Sequence, residues 1–284
     1  MIYKTNFKNY LFALLTISMI LSCNKSEIKE VIIQGNIVNP MGDTIQLVGP
    51  GEMEDGTLSL NFQREANVDE NGNFIDTLNL KSSGYFFFIH GRERTQLFLE
   101  PGDNLTINLD SKQFDESITF SGEGSENNTF LKKRFLFQEN NGVNVIEMSK
   151  LESKEYLNQI DSLKQWELNF LKENQNISNN FINIEKKNSH YKFLQALERY
   201  PLYHEFYAKK EAVYDESFMS PLNSIDYTNQ DDYILFPDFK NLVMSYYQNI
   251  FNKSDNLKED LRKLNLSKST IIKRDLVNQG VYLL

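Results

Sequence analysis

The sequence predicts an α+β protein, with an N-terminal antiparallel β-sandwich-like domain followed by an all-α helical domain. Three observations carry that expectation. Between Val31 and Ser121 the chain runs as short stretches that alternate apolar with polar residues, as in Leu58, Leu60 and Phe62 against Ser59 and Asn61. Such a period of two lines one face of a strand with apolar side chains. Clusters of turn-forming residues separate the stretches, and after Gly122 the apolar period lengthens to the three- and four-residue steps of a helix.

In chain order, strands are expected at Val31–Val38, Thr44–Val48, Leu58–Val68, Asn73–Leu80, Tyr85–His90, Gln96–Glu100, Leu105–Asp110 and Ile118–Phe120. Short strands at this spacing imply a sandwich or barrel. The turns come from Asn39-Pro40-Met41-Gly42, Glu70-Asn71-Gly72 and Glu100-Pro101-Gly102-Asp103. Asn and Gly tolerate positive φ there, and Pro presets the first turn position. The run Tyr85-Phe86-Phe87-Phe88 is expected to cross the sandwich with both faces covered, rather than to form a ligand platform.

In the second half, residues 126–139 carry Phe130, Leu131 and the cluster Phe135-Leu136-Phe137. Tyr156, Ile160, Leu163, Trp166 and Phe170 form one apolar stripe, with Ser153 expected to cap the helix start. A third helix is expected from near Ser178 to Tyr200, broken at Pro201, with Tyr200, Tyr203, Phe206 and Tyr207 in helix packing. A fourth starts at Asp238 and carries Leu242, Val243, Tyr246, Ile250 and Phe251, and two more follow Ser254 and Ser267. The expected division is a signal peptide over 1–22, a tether over 23–30, the β domain over 31–121 and the helical domain over 122–284.

The N-terminus has Lys4 and Lys8 before an apolar run from Leu11 to Leu21. That is the layout of a cleaved secretory signal, too short to span a bilayer comfortably. Ile20-Leu21-Ser22-Cys23 resembles a bacterial lipobox, which implies cleavage before Cys23 and lipidation of its sulfur. The expected location is the cell envelope, lipid-anchored on the periplasmic side or the cell surface. Cys23 is the sole cysteine of the chain. Given to lipid, it leaves no thiol for an intramolecular disulfide, a Cys-ligated zinc, an iron–sulfur cluster or a nucleophile.

Loss of Lys4 and Lys8 with the signal moves the formal net charge from −9 to −11. An acidic chain is a poor match for nucleic acid, whose phosphates need Lys and Arg. The same balance makes the acyl chains, rather than surface charge, the membrane anchor. About 260 mature residues are enough to bury real cores, and 21 Phe with 14 Tyr mark a folded chain.

Candidate chemistry is sparse. His90, His190 and His204 do not form a His-x-x-x-His pair, so they read as satisfied or solvated histidines rather than metal ligands. Asp231-Asp232 and Asp69-Glu70 read as solvated turn or loop carboxylates rather than a glycosidase pair. Asp69-Glu70-Asn71-Gly72-Asn73 reads as a hairpin turn, because it lacks the twelve-residue spacing and terminal glutamate of a calcium loop. No phosphate loop and no Gly-x-Ser-x-Gly elbow occurs. No catalytic residue, cofactor or metal site is therefore assigned. Asp43-Thr44-Ile45, Asp76-Thr77-Leu78 and Asp161-Ser162-Leu163 resemble the aspartate–hydroxyl–aliphatic O-glycosylation signal of Bacteroidetes envelope proteins, which makes Thr44, Thr77 and Ser162 candidate acceptors.

Three longer patterns are similar to parts of one known assembly. Leu99-Glu100-Pro101-Gly102-Asp103-Asn104-Leu105-Thr106-Ile107 resembles a leucine/proline/glycine/aspartate strand turn of Bacteroidetes envelope lipoproteins. Phe120-Ser121-Gly122-Glu123-Gly124-Ser125-Glu126-Asn127 resembles the phenylalanine–glycine…asparagine junction that follows it there. Glu185 to Tyr247, with Tyr200-Pro201-Leu202-Tyr203-His204 and Asp231-Asp232-Tyr233, is similar to their helical segment. In this order, over roughly residues 20–284, they resemble TlpA-like thioredoxin-family lipoproteins. The resemblance implies a β-rich N-terminal domain, a helical middle and a C-terminal thioredoxin fold.

The chain departs from that pattern at the redox centre. A thioredoxin domain needs about a hundred further residues and a Cys-x-x-Cys pair, and neither is in this sequence. The family's catalytic cysteines map onto no residue here. The expected function is a non-catalytic binding or scaffold module that meets an unidentified envelope protein or ligand at the membrane. The alternative is the leading part of a thioredoxin-family disulfide reductase whose catalytic domain is absent from this chain. The apolar, uncapped end Val281-Tyr282-Leu283-Leu284 is expected to pack against something that follows it or to dock back.

Overall fold

A computed structural model of the chain describes residues 28–52, 58–141, 144–174, 176–253, 256, 258–259 and 269–278. The leader, Cys23 and the C-terminal Val281–Leu284 lie outside the described residues. The strands are β1 (Lys29–Val38), β2 (Thr44–Glu52), β3 (Leu58–Asn67), β4 (Asn73–Leu80), β5 (Gly84–His90), β6 (Glu93–Leu99), β7 (Asn104–Asp110) and β8 (Thr119–Gly122). They form two four-stranded sheets, ordered β4-β1-β7-β8 and β3-β2-β5-β6.

Alternation decides which side chains enter the space between the sheets. Along β4, Phe74, Asp76, Leu78 and Leu80 are buried while Asn73, Ile75, Thr77 and Asn79 face out. Ile33, Ile45, Leu47, Phe86, Phe88, Leu97, Leu105 and Ile107, drawn from both sheets, share one core. Full burial of each stabilises the fold by roughly 1.5–3 kcal/mol before entropy is counted. The turn expected at Asp69–Asn73 carries the chain from β3 of one sheet to β4 of the other, with a single bridge between Val68 and Phe74. Asp69 accepts from the backbone of Asn71 and Asn73, and Gly72 takes φ +82°, where a Cβ would strain.

One pairing departs from the expected antiparallel pattern. β1 and β7 run parallel, with Ile33 opposite Leu105 and Ile37 opposite Leu109. Between β1 and β7 the chain lays down all four strands of the other sheet and sets β4 on one side of β1, then returns as β7 on the other side. Alternation alone sets which face is apolar and carries no information on strand direction.

The helices are α1 (Phe114–Ser117), α2 (Ser125–Asn141), α3 (Val145–Ser149), α4 (Ser153–Glu173), α5 (Asn179–Ala208), α6 (Glu216–Met219), α7 (Gln230–Leu235), α8 (Pro237–Lys253) and α9 (Thr270–Asn278). Ser178 caps α5 by accepting from the Phe181 amide at 3.0 Å. Ser153, by contrast, is the first helical residue of α4, and Glu152 occupies the cap position without a side-chain hydrogen bond. The expected break at Pro201 does not occur, because α5 continues to Ala208. Tyr200 and His204 flank the proline and are both buried, donating to the carbonyls of Leu151 and Ser149. These anchors outweigh the one lost backbone bond. The expected helix after Ser267 is α9, whereas most of the one after Ser254 lies outside the described residues.

A second core joins these helices through Phe130, Ile160, Phe181, Leu194, Leu197, Phe236, Leu242 and Ile272. Tyr85 and Phe98 of the β half belong to this helical core rather than to the sandwich. The boundary near Ser121–Ser125 is therefore a boundary in the chain, while the packing crosses it.

Candidate functional site

Two polar clusters fasten the halves together. In the first, the Glu100 carboxylate accepts from Asn127 at 2.9 Å and Ser178 at 2.7 Å through one oxygen, and from Asn180 at 2.7 Å through the other. Asn127 in turn accepts from the Ser178 amide. Asp103 sits beneath the turn, accepts from the Glu100 amide at 2.8 Å, and is pushed up to about 6 by burial. Next to it, Asn128 is fully buried and pairs with the open edge of β6 as another strand would. Its carbonyl oxygen accepts from Phe98 N, and its amide donates to Phe98 O and Gly124 O.

The second cluster is ionic. Arg134 of α2 and Glu185 of α5 form a buried pair, and Tyr85 of β5 donates to Glu185 at 2.7 Å. Burial opposes charge on both partners. The guanidinium outweighs it and holds the Glu185 carboxyl below its usual range, while Glu185 keeps Arg134 above its own. Burial, reinforced by the Glu185 charge, holds the Tyr85 phenol protonated, well above its ordinary value. Every charge in this cluster is matched, which suits a structural lock better than a reactive site.

Behind the lock, a cleft of about 680 Å³ opens between α2, α4 and α5, with the start of α8 at one end. Phe137, Val145, Ile160, Leu163, Trp166, Phe193 and Ala196 make its walls mostly apolar. A run of ring contacts leads to it from the sheet: Tyr85 to Phe98 at 5.2 Å, Phe98 to Phe181 at 4.9 Å, Phe181 to Phe130 at 5.5 Å and Phe130 to Phe170 at 5.0 Å. It continues as a near-parallel stack of Phe170, Trp166 and Phe137, with the last two 4.5 Å apart. Phe137 ends the stack 41% exposed. Four ionisable side chains line the cleft: Lys164, Glu167, Lys192 and Asp238. Glu167 accepts from Lys192 at 2.9 Å, and the Lys164 ammonium lies 4.5 Å from the centre of the Phe193 ring. Among the described residues, nothing donates to the Asp238 carboxylate. Burial pushes its pKa upward, against the pull of Lys192 and Arg199. Ser189 lines the floor, almost wholly buried, with its hydroxyl unpartnered among the described residues.

The candidates marked in the sequence fall elsewhere. His90 accepts from Met41 N at 2.8 Å and donates to Thr44 O at 2.9 Å, inside the sandwich. His204 is buried on α5, and His190 is exposed on the same helix. No group of three His, Cys, Asp or Glu suited to a metal occurs among the described residues. Asp231 is exposed, but Asp232 is buried, held by Lys187, Tyr191 and Asn229. It was expected to be solvated; its place on the inner side of α7 buries it against α5. Phe87 is 37% exposed beneath Arg94, so the aromatic run is open at that one position. The expected packing role holds for Tyr200 but not for Phe206, which is exposed because it lies on the face of α5 opposite the buried His204. Thr77 and Ser162 are exposed and Thr44 half-buried. The Asp76 beside Thr77 is engaged by Arg64 through two hydrogen bonds.

Sequence reasoning missed the cleft, Asn128 and the Arg134–Glu185 pair. A signal existed for the cleft, since Ile160, Leu163 and Trp166 of its lining all sit on the apolar stripe read along α4. No helix among the described residues is long and apolar enough to cross a membrane. No family model matches the sequence, and no curated protein matches it significantly. A solved structure of a candidate cell-adhesion protein from Bacteroides ovatus aligns at 11% identity over 34% of this chain and 43% of that one, with a TM-score of 0.21. A likeness that slight carries no inference about this protein.

Proposed function

We propose that this chain is a cell-envelope lipoprotein, anchored through lipid on Cys23, whose folded part is a non-catalytic module that binds a small ligand in the cleft between α2, α4 and α5. The observation that carries the binding reading is the cleft itself. Its volume of about 680 Å³, apolar walls and few convergent polar groups match the usual small-molecule site. Of the cleft's carboxylates, Glu167 is already engaged by Lys192 and Gln138. The membrane anchor and the kinship with the N-terminal region of TlpA-like lipoproteins rest on the sequence patterns around Cys23, Glu100–Asp103 and Gly122–Asn127.

Native mass spectrometry on protein isolated from its own envelope tests the binding reading. A stoichiometric small-molecule adduct is expected. Unliganded mass together with no thermal shift in envelope extracts would refute it. Cys23→Ser is expected to leave the chain unprocessed and out of the lipid-modified fraction; normal processing in that variant would remove the anchor from the proposal.

A further inference from the structure

We infer that the cleft takes a neutral, flat aromatic molecule whose polar head carries a hydroxyl or amide able both to donate and to accept a hydrogen bond. This rests on reading the cleft as a ligand site, and three features of its lining set the chemistry. The stack Phe170–Trp166–Phe137 ends on a ring left 41% exposed, and a further planar ring extends it. Lys164 and Lys192 balance Glu167 and Asp238 in charge, so the lining favours neither an anion nor a cation. The remaining polar capacity is of both kinds. The Ser189 hydroxyl is buried without a partner among the described residues, and nothing described there donates to the Asp238 carboxylate. A buried hydroxyl left unpaired costs free energy that a ligand oxygen would recover. A head that accepts from Ser189 and donates to Asp238 completes both.

Trp166 is the sole tryptophan of the chain, so indole emission reports directly on the cleft wall. The full-length Cys23→Ser chain would be titrated in detergent-free buffer with 4-propylphenol, its methyl ether, 4-propylbenzoate and 4-propylbenzylammonium. The phenol is expected to shift Trp166 emission saturably and to bind tighter than the ether by a factor of about five, the worth of one net hydrogen bond. Asp238→Ala is expected to bring the phenol down to the ether's affinity, since only the phenol donates there, and Ser189→Ala is expected to weaken both compounds, since each presents an accepting oxygen. The Ser189 variant removes an unpaired buried hydroxyl, so its melting temperature is expected not to fall. Equal binding of phenol and ether, tighter binding of either charged analogue, a phenol advantage that survives Asp238→Ala, or unchanged binding of both compounds in Ser189→Ala would each overturn the assignment. A saturable response to none of the four would overturn it as well. In that case an adduct on the native protein would still uphold the binding reading, which separates the two failures.

Discussion

Replacing Asn128 with alanine tests whether one side chain seals the edge of a sheet. Asn128 is fully buried, and its amide group serves both free backbone groups of Phe98, the N–H at 2.8 Å and the C=O at 3.0 Å. Its third bond, to Gly124 O, is less decisive, because that carbonyl also accepts from the Asn128 backbone amide. Two buried groups are thus left unpaired by the substitution, each costing roughly 1–3 kcal/mol. The expected loss is about 4 kcal/mol, a large part of the 5–15 kcal/mol typical of a folded domain. Urea unfolding followed by far-ultraviolet circular dichroism and by Trp166 emission measures it. The two probes are expected to move together, because Phe98 lies on a sandwich strand while its ring packs in the helical core. Asn128→Asp is expected to be at least as damaging near neutral pH, where a carboxylate faces two carbonyl oxygens, and to recover partly in acid. A loss below about 1 kcal/mol for Asn128→Ala would refute the reasoning, since it would mean that Phe98 finds other partners.

Two other outcomes follow from the buried charges. Asp103 is raised from 3.8 to about 6 by burial, so the folded state holds its proton more tightly than the unfolded one. Its contribution is present in full below pH 3.8 and is lost as pH climbs through about 6. Asp103→Asn should therefore flatten the fall in stability over that window, and an unchanged pH profile would contradict the assignment. Glu185→Gln should cost about 3–5 kcal/mol by leaving Arg134 buried without a counter-charge. Combining Arg134→Met, Glu185→Leu and Tyr85→Phe should return most of that loss in the same urea assay. A triple variant no better than Glu185→Gln would show that the lock is more than a matched burial of charge.

Where the chain speaks locally, the sequence was a good guide. Asn73–Leu80 is a strand over the same residues in expectation and structure, because a period of two along one strand needs no partner to be read. The helix start expected near Ser178 is likewise local, since the Ser178 hydroxyl accepts from a first-turn amide, whereas the cap expected at Ser153 is not there, Glu152 holding that position. Local signals failed where packing overruled them. Pro201 stayed helical because Tyr200 and His204 are anchored on either side, and Asp232 went inward because Lys187 and Tyr191 of α5 lie opposite. The two motifs around Glu100–Asp103 and Gly122–Asn127 were visible as patterns, but their meeting at Ser178 was not.

By itself, the sequence determined the class of each half and the approximate place of the described strands and longer helices, though not of the short helices α1, α3, α6 and α7, since periodicity and turn chemistry act over a few residues. It also determined that Cys23 is the one thiol in the chain, which leaves this polypeptide no Cys-x-x-Cys pair. The tertiary structure alone decided the parallel register of β1 with β7, the burial of Arg134 against Glu185, and the cleft beside Trp166. Those features join residues far apart in the chain, such as Tyr85 and Glu185 at a separation of 100. Nothing in either segment encodes the other's position, so only the packing of both cores brings them into contact.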